Sequence, residues 1–323
     1  MSRMRNAFAL MVLLATVSAV GLAQSITVEH ELGTAIVPAG PQRVVVFDFG
    51  ALDTMDALGI EPVGLPKGGT IPSYLSKYRD AKYTNVGSLT EPNLEAVYSL
   101  RPDLIIISGR QQTYYEELSQ IAPTIYVALD TTDYMESFKA NARLLGRIFG
   151  REDEVEEHLA AVERSVAEVQ QKVKAAGYTA LVVLVNDKSV SAFGPGSRFG
   201  LIHDEFGFAP AREGIVASSH GQTISFEFIL AANPDYLFVV DRGAVVAGTP
   251  TARQVMDNQL VRFTKAYQQG NIVYLDPEYW YLSGGGLLSV PAMVQEIASA
   301  LSGREARPPP GLSQEHIWAS HIA

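Results

Sequence analysis

The 323-residue chain has no cysteine. That single absence excludes disulfide staples, thiolate metal centres, redox CxxC pairs and cysteine nucleophiles, and with them a lipid-modified N-terminal cysteine. Histidine is scarce, at positions His30, His158, His203, His220, His316 and His321. There is no HExxH or GxSxG pattern and no second histidine at ligand spacing, which argues against a secreted metal-dependent hydrolase built on His220. Basic residues are outnumbered, 25 Lys and Arg against 35 Asp and Glu, for a formal net charge of −10. A balance this acidic disfavours non-specific binding to nucleic acid or anionic lipid. Past the N-terminus, no stretch is long and apolar enough to cross a membrane.

The N-terminus has the pattern of a cleaved export signal. Arg3 and Arg5 precede an apolar run from Ala7 to Leu22, and Gly21-Leu22-Ala23 offers small residues where a signal peptidase reads. Residues 1–23 are expected to be removed, leaving an exported, soluble protein in the periplasm.

Downstream, short β-branched runs alternate with helical patterns. One set is Arg43 to Phe47, Asp103 to Ile107 and Ile125 to Val127; a second is Ala180 to Val185, Asp235 to Val240 and Asn271 to Leu275. Continuous apolar strands alternating with helices predict an α/β fold with mostly parallel sheets covered on both faces. Between the sets, Val155, Leu159, Val162, Val166, Val169 and Val173 recur at alternating spacings of four and three, one apolar stripe on one long helix. At 1.5 Å per residue this helix is on the order of 37 Å long, enough to join two lobes. The expected divisions are 24–148, 149–177 for the helix, and 178–301, with a disordered tail over 302–323.

An internal repeat supports two lobes. Leu94 to Arg110 aligns without gaps to Phe226 to Arg242, with Glu, Pro-Asp and Arg coinciding in both copies. Each copy reads as a helix, a Pro-Asp turn and a buried strand that ends at an arginine. Ligands of open α/β sheets bind beyond the carboxyl ends of the strands. A cleft between the lobes would therefore present both Arg110 and Arg242, and Arg198, in a Gly/Pro-rich loop, is a third candidate. Guanidinium forks in an acidic protein predict an anionic ligand.

Two further features carry metal-binding chemistry. His220 sits in a loop of small residues seven positions before Glu227, and a neutral imidazole is a common metal ligand; a structural or solvated histidine is the alternative. The segment Glu278-Tyr279-Trp280-Tyr281-Leu282-Ser283-Gly284-Gly285-Gly286 follows the last strand. A phenolate is a hard donor suited to ferric iron, and a seam-filling aromatic cluster is the alternative. Read as an extended segment, it places Tyr279 and Tyr281 on opposite faces.

These elements together resemble the substrate-binding proteins of ABC importers for cobalamin and ferric siderophores, and within them the CeuE-like binders of ferric catecholate siderophores. The motifs that carry the resemblance are Gly109-Arg110-Gln111, Phe193 to Gly200, Ser219-His220-Gly221, Val239-Val240-Asp241-Arg242 and Asp276 to Leu282, and it spans roughly Pro41 to Leu301. The resemblance implies a class III periplasmic binding protein of the helical-backbone metal receptor type, which is no enzyme and holds no permanent cofactor. It implies Fe(III) as cargo within a tetradentate bis-catecholate, with His220 and Tyr281 completing the coordination and Arg110, Arg198 and Arg242 around the anionic complex. Tyr281 is preferred to Tyr279 because it immediately precedes the Leu-Ser-Gly-Gly run. The resemblance also implies that Glu95 and Glu227 dock the importer permease. A monomer is expected, and haem or cobalamin is the alternative cargo.

Overall fold

The computed structural model describes residues 25–303 except Ser219. The expected export signal, and the expected tail from residue 304 onward, lie outside the described residues. The chain opens with an antiparallel hairpin, β1 (Ser25–His30) and β2 (Gly33–Pro38). A five-stranded, all-parallel sheet follows, built from β3 (Val44–Val46), β4 (Gly64–Leu65), β5 (Thr84–Asn85), β6 (Leu104–Ile107) and β7 (Thr124–Tyr126) in the order β5-β4-β3-β6-β7. A second sheet contains β8 (Thr179–Asn186), β9 (Ser189–Phe193), β10 (Ala209–Pro210), β11 (Gln222–Thr223), β12 (Tyr236–Asp241) and β13 (Ile272–Leu275). Its order is β11-β9-β8-β12-β13, with β10 pairing the start of β8. Here β9 and β11 run antiparallel to their neighbours, while β8, β10, β12 and β13 pair in parallel. The mostly parallel α/β class expected from the sequence is the class observed.

The two sheets are separated in sequence by the helices Tyr134–Phe149 and Glu152–Ala176. The second is the spine helix, and all six residues of its predicted stripe are buried. They pack with Phe138 of the preceding helix, Phe238 and Ile202 of the second lobe, and Ile297 of the last helix, Ser289–Leu301. At roughly 1.5–3 kcal/mol for each buried Val or Leu side chain, this stripe is a principal hydrophobic tie between the parts of the molecule. Glu152, Asp153 and Glu154 occupy its first turn, where the helix dipole favours negative charge. Its last turn closes at Gly177, whose φ of 64° lets its N–H reach Val173 O.

The repeat is visible in backbone detail. Helices Leu94–Ser99 and Phe226–Ala232 begin at side-chain caps, Asn93 accepting from Ala96 N and Ser225 from Phe228 N. They end at residues with positive φ in the same register, Arg101 (47°) and Asn233 (43°). The aspartates after the prolines do equivalent work. Asp103 accepts the amides of Gln42 and Arg43 just ahead of β3, and Asp235 accepts the amide of Thr179 at the start of β8. Each Pro-Asp turn thus ties a helix–strand unit to the strand beside it.

Candidate functional site

A cavity of about 470 Å³ opens between the lobes, and its wall includes Arg110, Arg198, His220, Trp280 and Tyr281. The five come from four separate segments, Trp280 and Tyr281 sharing one. Arg110 stands on the tight turn Gly109–Tyr114 after β6, and the Ser108 side chain and Gln111 form a capping box that fixes this turn. Arg198 follows the Gly194-Pro195-Gly196 bend after β9, held by Ser197 Oγ donating to Gly194 O and Gly196 N to Asp204. His220 is exposed at the mouth, after Ser218 Oγ has accepted the amides of His220 and Gly221. Gly221 has φ +73° and lies so close to Phe193 that a Cβ would stand 2.7 Å from its ring, so this bend requires glycine.

Tyr281 is carried by Glu278–Leu282, which forms one π-helical turn rather than the extended segment expected. Two capping contacts stabilise this turn: Glu278 N donates to Asp276, and Ser283 Oγ donates to Glu278 O. The two tyrosines still point apart. Tyr279 is buried against Tyr74, with ring centroids 4.9 Å apart, whereas Tyr281 faces the cavity. Trp280 also lines the cavity, with its indole N–H donated to Glu296 (2.6 Å).

Three guanidinium groups converge on Tyr281. Arg110 and Arg198 both donate to its carbonyl oxygen, at 2.9 and 2.7 Å, and Arg242 Nε donates to its phenol oxygen at 2.9 Å. The Arg198 guanidinium also lies 4.1 Å from the centre of the Tyr281 ring, a cation–π contact. Arg242 is braced by Asn186, which accepts from its Nη1 at 2.8 Å. Burial alone would raise the Tyr281 phenol, but the Arg242 hydrogen bond and the charges of Arg198, Arg242 and Arg110 outweigh it and hold the phenol below its ordinary range. Burial and the neighbouring Arg110 charge lower Arg198 to about 10, so it remains a cation at neutral pH. Asp48, the acidic residue of the lining, is engaged at a helix start, accepting from Ala51 N. The result is a cationic cleft around a phenol held below its ordinary range.

Among the described residues, no group of three or more His, Cys, Asp or Glu side chains could hold a metal ion. Glu95 and Glu227 are placed away from the cavity lining, both exposed in the first turns of the repeated helices. Three site features were not anticipated. Tyr134 lines the cavity with a buried hydroxyl that has no partner among the described residues. Thr131 donates to Gly196 O at 3.2 Å, joining the lobes at one end of the cleft, and Asn186 braces Arg242. None has a local sequence signal: the Thr131 and Asn186 contacts span distant parts of the chain, and the burial of the Tyr134 hydroxyl is set by packing.

A family model described as periplasmic binding protein matches residues 44–279. The chain belongs to the periplasmic binding protein family. The petrobactin-binding protein YclQ of Bacillus subtilis (strain 168) is 50% identical over 283 residues, covering 86% of this chain and 89% of YclQ. Its crystal structure matches with a TM-score of 0.84 over 86% of this chain and 99% of that one. The periplasmic catecholate-siderophore binding protein VctP of Vibrio cholerae matches with a TM-score of 0.82 at 40% identity, covering 85% of this chain and all of VctP. BauB, solved with two molecules of acinetobactin and ferric iron, matches with a TM-score of 0.80 at 36% identity, over 86% of this chain and 99% of BauB. Among the described residues of this family member, no helix is long and apolar enough to cross a membrane.

Proposed function

We propose that the protein is a non-enzymatic receptor that captures a ferric catecholate siderophore in the inter-lobe cleft and delivers it to an ABC importer. The observation that carries this reading is Tyr281, a phenol held by three arginines inside a cleft that also presents His220. Similar proteins whose names specify petrobactin, a catecholate siderophore, and a ferric acinetobactin complex support the cargo class. BauB's two-molecule complex further supports a cargo whose iron is not saturated by one hexadentate ligand.

The charge count suits a tetradentate bis-catecholate. Ferric iron with two doubly deprotonated catecholates carries a net charge of −1 and has two open positions. The His220 imidazole and the Tyr281 phenolate fill them, and the phenolate takes the assembly to −2. Arg110, Arg198 and Arg242 offset that charge with donors left over from their contacts to Tyr281. The lobes are assigned to 24–148 and 178–301, joined by 149–177. Exposed Glu95 and Glu227, at equal positions of the repeat, are assigned to permease docking. The mature chain is a periplasmic monomer, released from its signal segment and not lipidated.

Titrating the purified protein with a preformed ferric bis-catecholate tests the reading. Trp280 fluorescence should be quenched and the catecholate charge-transfer band should shift at micromolar concentrations. Haem and cobalamin, run in parallel, should leave both signals unchanged. A response to haem or cobalamin with none to the ferric catecholate would overturn the assignment.

A further inference from the structure

Asp53, on the first-lobe helix Phe49–Ala57, is completely buried. Its carboxyl group accepts the amides of Leu288 (2.6 Å) and Ser289 (2.7 Å), where the last helix begins. A row of oxygens leads from it toward the cargo site. Asp53 Oδ2 is 3.0 Å from the Tyr74 hydroxyl, which is 2.6 Å from Ser283 Oγ, which is 2.7 Å from Glu278 O. On the other side of the π-helical turn, the Glu278 carboxylate accepts both the amide and the hydroxyl of Ser73, at 2.7 and 2.6 Å. The turn that presents Tyr281 therefore belongs to the second lobe in sequence but is gripped at both ends by the first.

We propose that Asp53 is a positioning residue for Tyr281, acting as a neutral carboxylic acid that completes a hydrogen-bonded relay through Tyr74 and Ser283 to the π-helical turn. The hydrogen count supports the neutral form. The row has three oxygen–oxygen gaps, and the Tyr74 and Ser283 hydroxyls supply two hydrogens. With Asp53 ionised, one gap is a bare contact between oxygens. With a proton on Asp53, all three are filled in one direction, ending at Glu278 O. Burial, opposed by the amides of Leu288 and Ser289, lifts this carboxyl to about 7. The titratable side chains around it, Tyr74, Tyr134 and Tyr279, are phenols that burial pushes upward. The relay also accounts for the last glycine of the run after Tyr281: a Cβ on Gly286 would stand 2.2 Å from Asp53 Cγ.

The functional consequence rests on the cargo reading above, whereas the positioning itself does not. Hydrogen–deuterium exchange on the cargo-free protein tests the positioning. Asp53→Ala, and Tyr74→Phe in case the first variant fails to fold, should speed exchange across residues 278–289 about tenfold, the loss of one net hydrogen bond. Asp53→Asn keeps a neutral donor toward Tyr74 but loses the acceptor for Ser289 N, so it should restore part of the protection. Unchanged exchange in Tyr74→Phe, or Asp53→Asn no better than Asp53→Ala, would overturn the proposal. Binding supplies the second readout. The relay variants should lose about tenfold in affinity for a tetradentate ferric bis-catecholate and less than about threefold for a hexadentate ferric tris-catecholate. If exchange responds while the wild-type protein binds neither complex, the cargo reading fails and the positioning stands; equal losses for both complexes would overturn the link between Asp53 and Tyr281.

Discussion

Replacing Tyr281 with Phe removes one oxygen and leaves the ring, so it isolates the phenol's contribution. In the folded protein that oxygen accepts from Arg242 at 2.9 Å, and the Arg198 guanidinium lies 4.1 Å from the ring centre. Two unit charges about 4 Å apart attract by about 4 kcal/mol at an effective dielectric constant of about 20. Desolvating a half-buried phenolate opposes that attraction, and net contributions of charge-assisted contacts run at about 2–3 kcal/mol. At 1.4 kcal/mol per decade, Tyr281→Phe should weaken a tetradentate ferric complex about 30- to 140-fold. A hexadentate complex already saturates its iron and should change by less than about threefold, in the units of the same relation. Fluorescence titration suits the measurement, because Trp280 lines the same cavity. Equal losses for both complexes would show that the phenol acts as part of the cavity wall, and direct coordination by Tyr281 would be refuted.

His220→Ala should show the same preference for hexadentate over tetradentate cargo, read in the same titration, with no change in melting temperature because His220 is exposed. Tyr134→Phe should raise the melting temperature, since it deletes a buried hydroxyl without a partner among the described residues, a group costing about 1–3 kcal/mol; a fall in stability would indicate a contact made in solution. Gly286→Ala should destabilise the fold by about 1–3 kcal/mol or more in denaturant unfolding, because its Cβ would overlap Asp53. Burial raises Asp53 to about 7, Asp276 to about 6 and Glu296 to about 8. The folded state therefore binds protons more tightly than the unfolded chain, so this contribution to stability is complete below pH ~4 and is lost as pH rises through ~6 to 8. Glu296→Gln should flatten that slope in unfolding curves measured across the range; an unchanged slope would contradict the assignment.

Much of the architecture was legible where a signal repeats. The stripe from Val155 to Val173 is read easily because six residues obey one helical period, and all six are buried. The six strands read from β-branched runs correspond to β3, β6, β7, β8, β12 and β13. By contrast β4, β5, β10 and β11 are two residues each, too short for any period, and β9 interleaves serines with its apolar residues. The π-helical turn at Glu278–Leu282 was misread as extended, because what holds it is contact with Ser73, Tyr74 and Asp276 rather than its own composition.

The sequence by itself determined the α/β class, the internal repeat and the candidates Arg110, Arg198, Arg242 and His220, because these follow from periodicity, an in-register repeat and residue chemistry, while Tyr281 was singled out by the family resemblance. Only the tertiary structure decided what those residues do to one another. Arg110 and Arg198 meet one carbonyl oxygen from 171 and 83 residues away, and Asp53 reaches Leu288 across 235. Contacts at such separations leave no local pattern in a chain. They arise when packing of the spine stripe brings two sheets together, and the low dielectric of the resulting cleft then makes the convergence of three guanidiniums on a phenol strong enough to hold it below its ordinary range.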